Sequence, residues 1–330
     1  MLKSFLRLVV FILAIAAVLE ISLRFIYFGT DAFSLDKMNS YVLIIDSELV
    51  QPAESLDIYY ELKPNLDTLF HGKRIVTNTD GLPDGEYSKD KPANVFRVAV
   101  VGSSWTMATG VDANKNYPSL LENQLLEHAS GNKTEVINFA VEYYGLGELI
   151  GSVKHKALAY DPDMIIFAIT TITPSILWED HNEPFTKAET TPPFWQSHLF
   201  STVMNLAGYS GYTKTRRPWV KKLRGGYMRQ VVRSMEELGE LTRDKNIRVA
   251  VIWLSYDETS ESIIRTTEKH AENQGFMFTQ INLKALANEQ QLDSQLLTEK
   301  LGNHPNETGH KLIADKLHKE LWRQARQSPN

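Results

Sequence analysis

Apolar residues run unbroken from Leu8 to Leu19 and resume at Phe25-Ile26-Tyr27-Phe28, with Glu20 and Arg24 between the two runs. As a helix, Phe5 to Phe28 is about long enough to cross a bilayer if Glu20 and Arg24, four apart on one face, pair or sit near the interface. Lys3 and Arg7 ahead of the run predict a cytoplasmic N-terminus. Ala14-Ile15-Ala16 also reads as a signal-peptide cleavage site, but cutting there leaves a short apolar core, which favours a retained anchor. Either reading carries the rest of the chain outside the cytoplasmic membrane.

Beyond the anchor the pattern changes twice. Residues 29–94 are irregular, with Asn, Asp and Gly turns such as Asn78-Thr79-Asp80-Gly81, and read as a spacer of short β pieces. From residue 95 onward, apolar runs alternate with helical periodicity. Strands are predicted at Arg97–Val101, Glu135–Val141, Met164–Ile169, Arg248–Leu254 and Phe276–Ile281. Helices are predicted over Tyr117–Leu126, Gly147–Tyr160, Tyr227–Asn246, Ser260–Gln274 and from Asn306 to about Gln324. Strands alternating with helices argue for a parallel sheet covered on both faces. The expected organisation is therefore an anchor at 1–28, a spacer at 29–94 and an α/β domain at 95–330, interrupted by an insertion at about 177–223.

Composition narrows the function classes. A net charge of -5 provides no general basic field for nucleic acid, and the absence of cysteine removes disulfides, thiolate nucleophiles and Cys-ligated zinc. The insertion carries a basic cluster at Lys214, Arg216, Arg217, Lys221, Lys222 and Arg224 around Trp219. It reads as a solvated or membrane-near face, with contact to an anionic glycan or lipid as the alternative. No His-Glu-x-x-His, Walker A or Gly-x-Gly-x-x-Gly sequence is present, so neither a metal nor a cofactor is expected. Glu179-Asp180-His181 reads as exposed.

The stretch Arg97-Val98-Ala99-Val100-Val101-Gly102-Ser103-Ser104 reads as a buried strand turning sharply into serines. In open α/β sheets that edge is where ligands bind, and a serine there can point its hydroxyl outward beside unpaired backbone N–H groups. The same turn also suits Ser103 or Ser104 as a plain helix N-cap. A serine nucleophile needs a base, and His304 stands out among nine histidines because Gly302-Asn303-His304-Pro305-Asn306 opens onto the last helix. His310 is expected to pack or lie at the surface.

An ordered set of motifs runs the length of the chain. It comprises Glu20-x-x-x-Arg24, Lys63-Pro64-Asn65, Asn78-Thr79-Asp80-Gly81, Lys91-Pro92, Gly102-Ser103-Ser104-Trp105-Thr106 with Gly110-Val111, Asn138-Phe139-Ala140, Pro162-Asp163 and His304-Pro305-Asn306 with Gly309-His310. In this set the chain resembles the SGNH/GDSL hydrolase superfamily, in particular its membrane-anchored bacterial members. The resemblance implies a flavodoxin-like three-layer α/β/α domain with a central parallel sheet. It also implies ester or acyl chemistry, with Ser104 as nucleophile, His304 as base and the Ser104 N–H in the oxyanion hole.

The departures from the family pattern are equally specific. Gly102-Ser103-Ser104 replaces the usual Gly-Asp-Ser, as in some relatives acting on cell-wall polymers. Tyr143 aligns with the family's oxyanion glycine, and Thr173 or Ile172 with its oxyanion asparagine, so a threonine hydroxyl at 170, 171 or 173 is the remaining side-chain donor. Leu301 occupies the place of the aspartate that orients the histidine, with Asp293 and Glu299 the nearest acids in sequence. The expected function is an extracytoplasmic serine esterase or O-acetyl transferase working on a glycan or other envelope ester through a Ser-His dyad. The competing expectation is an inactive SGNH-like protein of an envelope polysaccharide system, with assembly partners. Trp105, Tyr143, Tyr144, Trp178 and Trp195 are candidates for a sugar-stacking platform or for the core.

Overall fold

The computed structural model describes residues 2–41, 44–127, 133–175, 197–206, 226–257, 260–298 and 304–325. Helix α1 (Leu2–Phe28) has no buried residue and is long and apolar enough to cross a membrane. The pairing read from the spacing of Glu20 and Arg24 is present, with Arg24 Nε donating to Glu20 at 2.7 Å. A short 3-10 turn follows, then α2 (Leu35–Asn39), started by the Ser34 hydroxyl, which accepts from the Lys37 N–H.

Residues 44–94 hold two antiparallel hairpins, β1 (Val50–Pro52) with β2 (Tyr60–Leu62) and β3 (Asp67–Phe70) with β4 (Lys73–Val76). The Asn78 turn is closed by its side-chain oxygen, which accepts from the Asp80 and Leu82 N–H groups at 3.0 and 2.9 Å. Ile58, Tyr60, Leu62, Phe70 and Leu82 are buried in one cluster with Ala99 and Val101. This segment is thus part of the main core.

The α/β domain runs β5 (Val95–Val101), α3 (Ser104–Met107), α4 (Tyr117–Glu127), β6 (Lys133–Asn138), α5 (Leu146–His155) and β7 (Met164–Thr170). It continues through α6 (His198–Leu206), α7 (Tyr227–Thr242), β8 (Arg248–Ser255), α8 (Glu261–Asn273), β9 (Met277–Asn282), α9 (Leu283–Glu289) and α10 (Glu307–Ala325). The sheet is parallel throughout, in the order β6-β5-β7-β8-β9. In order of appearance that is 2-1-3-4-5, the flavodoxin-like arrangement.

Side chains alternate between the two faces as the pleat requires. Ala99 and Val101 pack with α5, α7 and α8, whereas Val98 and Val100 pack with α4, α9 and α10. Two details depart from the periodicity. The helix expected over Gly147–Tyr160 breaks at Lys156 into α5 and a 3-10 turn, and α9, only seven residues long, had no periodic signal.

At the amino ends of the strands, ionic contacts hold the register. Asp163 accepts from the Arg97 N–H at 2.7 Å and from Lys91 Nζ at 2.9 Å, which explains the Lys91-Pro92 and Pro162-Asp163 motifs. The Arg97 side chain is wholly buried, donating to Glu135 through Nε and Nη2 (3.0 and 2.7 Å) and to the Tyr160 carbonyl through Nη1 (2.6 Å). Removing one partner of such a pair strands the other charge in the core. Arg97→Met is expected to destabilise the fold by about 3 kcal/mol, read as a lowered urea midpoint at unchanged slope, because Lys133 reaches Glu135 only at 3.4 Å from the exposed side.

Candidate active site

The carboxyl end of β5 is shaped by Gly102. A Cβ there would overlap the Thr106 side chain and press on Ala168 of β7 at 3.1 Å, so only glycine lets α3 begin this close to the strand. Ser104 is the first residue of α3 and is 5% exposed. Its carbonyl accepts from the Ala108 and Thr109 N–H groups, with Ala108 in the left-handed region (φ 67°) as the chain leaves the helix. Asn138, at the end of β6, donates to the Thr106 carbonyl at 2.9 Å and accepts from the Ala140 N–H, bracing the same turn. Since β6 and β7 flank β5 on opposite sides, Ser104 stands at the switch point of the sheet, where doubly wound folds bind their ligands.

The turn after β6 is tied to this edge by the Val141 N–H, which donates to the Gly102 carbonyl at 3.3 Å. Within it Tyr143 has φ 63°, a left-handed conformation that glycine adopts freely and tyrosine rarely does. The backbone there thus has the shape of a glycine site. Tyr143 and Trp105 are half-buried, whereas Tyr144 is fully buried with its hydroxyl on the Tyr60 carbonyl, a core residue. Trp178 and Trp195 lie outside the described residues, as do Glu179-Asp180-His181 and the basic cluster around Trp219.

Thr173, the expected side-chain oxyanion donor, lies in the turn after β7. It is completely buried, and its hydroxyl accepts from the Thr170 N–H at 3.0 Å and pairs with the Thr170 hydroxyl at 2.8 Å. The side chain closes the turn after β7.

His304 precedes α10 in a tightly organised start. Pro305 bridges to Thr298, and Asn306 accepts from the Thr308 and Gly309 N–H groups as a cap. A Cβ on Gly309 would sit 2.6 Å from the Leu297 carbonyl, so this glycine serves close packing. His304 is half-buried, and its Nδ1 is buried without a hydrogen-bond partner. Asp293 is exposed and does not supply that partner, while Leu301 and Glu299 lie outside the described residues. Burial, with His71 nearby, brings the imidazole down to about 4, so it is neutral at pH 7.

His310 is fully buried, stacked on Tyr117 at 6.0 Å, and accepts the Tyr117 N–H at Nδ1. The Tyr117 hydroxyl meets Thr106 Oγ1 at 2.8 Å, so contacts run from α3 through α4 to the first turn of α10. Among the described residues no hydrogen bond joins Ser104 to His304.

Three groups here carry no sequence signal. His71 lies in the turn between β3 and β4. Glu142 is buried beneath the Tyr143 turn, where desolvation pushes its carboxyl up to about 8 against one long hydrogen bond from Thr109 (3.4 Å). Asp84 accepts from the Asn138 N–H and is pushed up to about 6, again by burial. A cavity of about 460 Å³ lies between the end of α1 and this edge, lined by Phe25, Tyr27, Phe28, His71, Thr109 and Gly110 among others. Among the described residues, no group of three or more His, Asp or Glu side chains is arranged to hold a metal ion.

No family model matches the sequence, and neither does any curated protein. Solved structures similar to it include a two-domain esterase (CEX) active on acetylated mannans, at TM-score 0.47 and 10% identity, covering 72% of this chain and 50% of that one. A catalytic mutant of Axe2, an acetylxylan esterase from Geobacillus stearothermophilus, is similar at TM-score 0.43 and 14% identity, covering 68% and 93%. A protein of the G-D-S-L family from Desulfitobacterium hafniense DCB-2 is similar at TM-score 0.39 and 14% identity, covering 68% and 98%. The flavodoxin-like assignment stands on the strand order of the chain itself.

The buried acids make stability depend on pH. Glu142 holds its proton more tightly folded (about 8) than its ordinary value of 4.5, so its contribution is full below pH 4.5 and is lost as pH rises through 8. Asp84 adds a loss through about 6. Below pH 6.5 the depressed His304 and His310 act in the opposite sense, so the melting temperature of the detergent-solubilised protein is expected to fall between pH 6.5 and 8, and Glu142→Gln to flatten that fall.

Proposed function

We propose that the chain is a membrane-anchored, extracytoplasmic serine esterase or O-acyl transferase acting on an acylated glycan or another envelope ester. The observation that carries this reading is Ser104 opening α3 at the switch point of the sheet, beside a turn whose Tyr143 is held in a glycine-like conformation. The glycan rests on the family resemblance and on the membrane-spanning length of α1.

In the proposed reaction Ser104 Oγ attacks the acyl carbon while His304, neutral at pH 7, takes the hydroxyl proton. The backbone N–H groups of Ser104 and Tyr143 hold the oxyanion, and Thr173 supports the edge by closing the β7 turn. The tetrahedral intermediate expels the alcohol, which receives the proton from His304. Water or a sugar hydroxyl then attacks the acyl-enzyme, giving hydrolysis or transfer. With no carboxylate on Nδ1 the imidazolium is poorly stabilised, a loss of up to about 10,000-fold relative to a complete triad, which suits slow chemistry on a tethered polymer.

The same unpartnered Nδ1 favours a second reading, an inactive SGNH-like binding or assembly protein of an envelope polysaccharide system. A fluorophosphonate probe on the purified full chain separates the two. The enzyme reading expects labelling that disappears in Ser104→Ala and falls at least about 100-fold in His304→Ala. Labelling that survives Ser104→Ala overturns the nucleophile, and a folded protein inert to the probe and to aryl acetates supports the binding reading. Where turnover is measurable, its acid limb is expected near pH 4, well below the ordinary histidine value of 6.5, because His304 remains a free base down to there.

A further inference from the structure

Glu20 sits inside the apolar helix α1, and the structure gives it a full set of partners. Its carboxylate accepts from Arg24 Nε (2.7 Å), Ser197 Oγ (2.7 Å) and the backbone N–H groups of His198 (3.1 Å) and Leu199 (2.9 Å). The last two are orphan donors at the start of α6, so Glu20 is an N-terminal cap supplied from 177 residues away in sequence. The His198 ring packs edge-on against Phe28 at 5.1 Å and lies 6.1 Å from Tyr27. Helix α6 is therefore docked along the outer end of α1.

The level of this contact is what matters. Glu20 lies eight residues before the end of α1, about 12 Å down the helix axis at the α-helical rise. Around that level Ile21, Phe25 and Ile26 of α1 are exposed, and so, on α6, are Phe200 (47%) and Val203 (52%), three apart on one face. Both helices therefore carry exposed apolar side chains beside the Glu20 contact. A carboxylate and two helix-starting N–H groups at that depth would each be costly in hydrocarbon, and each satisfies the other here.

We infer that α6 is seated in the outer leaflet of the bilayer, clipped to α1 by Glu20, with Phe200 and Val203 in contact with lipid acyl chains. The occupant of this surface is the membrane itself. At nine residues, about 14 Å, α6 is too short to cross a hydrocarbon core of about 30 Å. The domain is thereby held to the membrane at two points. The inference rests on α1 spanning the bilayer and is independent of any activity.

Because the chain has no cysteine, single cysteines report each position without interference. The full-length variants Phe200→Cys, Val203→Cys, Val10→Cys in α1 and Arg265→Cys on the solvent face of α8 are reconstituted in phosphatidylethanolamine–phosphatidylglycerol vesicles and treated with a membrane-impermeant maleimide. Arg265→Cys is expected to label at once. The other three are expected to label only after detergent, and a fluorophore placed at Val203→Cys to be quenched by lipids carrying a nitroxide on the acyl chain. Rapid labelling at 200 and 203 with Val10→Cys still protected overturns the seating of α6 while leaving the anchor intact. Labelling of Val10→Cys overturns the anchor and the inference with it, and protection at 203 without lipid quenching means protein covers the site, which also overturns it. Glu20→Leu is expected to expose 200 and 203 to the maleimide, whereas Glu20→Gln, which keeps an acceptor oxygen, retains their protection; equal protection in both overturns the clip.

Discussion

The missing side chain at Gly102 is the constraint on which the candidate site depends. Only without a Cβ can Thr106 fold back over the end of β5, and that close approach starts α3 at Ser104. Thr106 then meets Tyr117, Tyr117 supports His310, and the Gly102 carbonyl receives the turn that holds Tyr143. Strand, helix and two loops converge because one position is empty. The same position sets where Ser104 stands relative to the switch point of the sheet.

The two ends of the sheet are electrostatically different. At the amino ends, Arg97, Glu135, Lys91 and Asp163 form charged contacts that hold the strand register. At the carboxyl edge, burial suppresses charge: Glu142 keeps its proton toward pH 8, and His304 and His310 lose theirs down to about 4 and 3. Glu142 and both imidazoles are therefore neutral at pH 7. What this edge lacks is an acceptor at His304 Nδ1.

The apolar helix α1 and the candidate site are neighbours. The end of α1 forms one wall of the cavity whose opposite wall includes His71 and the Thr109–Gly110 segment following α3. The hairpin β3–β4, which brings His71 there, is held through Ser40, whose carbonyl and hydroxyl receive the His71 and Gly72 N–H groups. The residues between the anchor and the α/β domain thus connect the two and complete the core around Tyr60.

Much of the α/β framework was legible because its signals are local. Alternating apolar runs mark strands, three- and four-residue spacing marks helices, and Gly102, Pro305 and Asn306 announce turns whose chemistry lies within a few residues. The long apolar helix and the Glu20–Arg24 pair were legible for the same reason. The fate of each polar group was not. Whether Thr173 faces a ligand or its own turn, whether Glu142 is charged, and whether Glu20 is alone in the apolar helix or caps α6 depend on neighbours brought together from distant parts of the chain. Periodicity records which face of an element is buried; only the tertiary structure decides what each buried polar atom meets, because a hydrogen bond is made or lost over distances far shorter than the spacing that a sequence pattern can resolve.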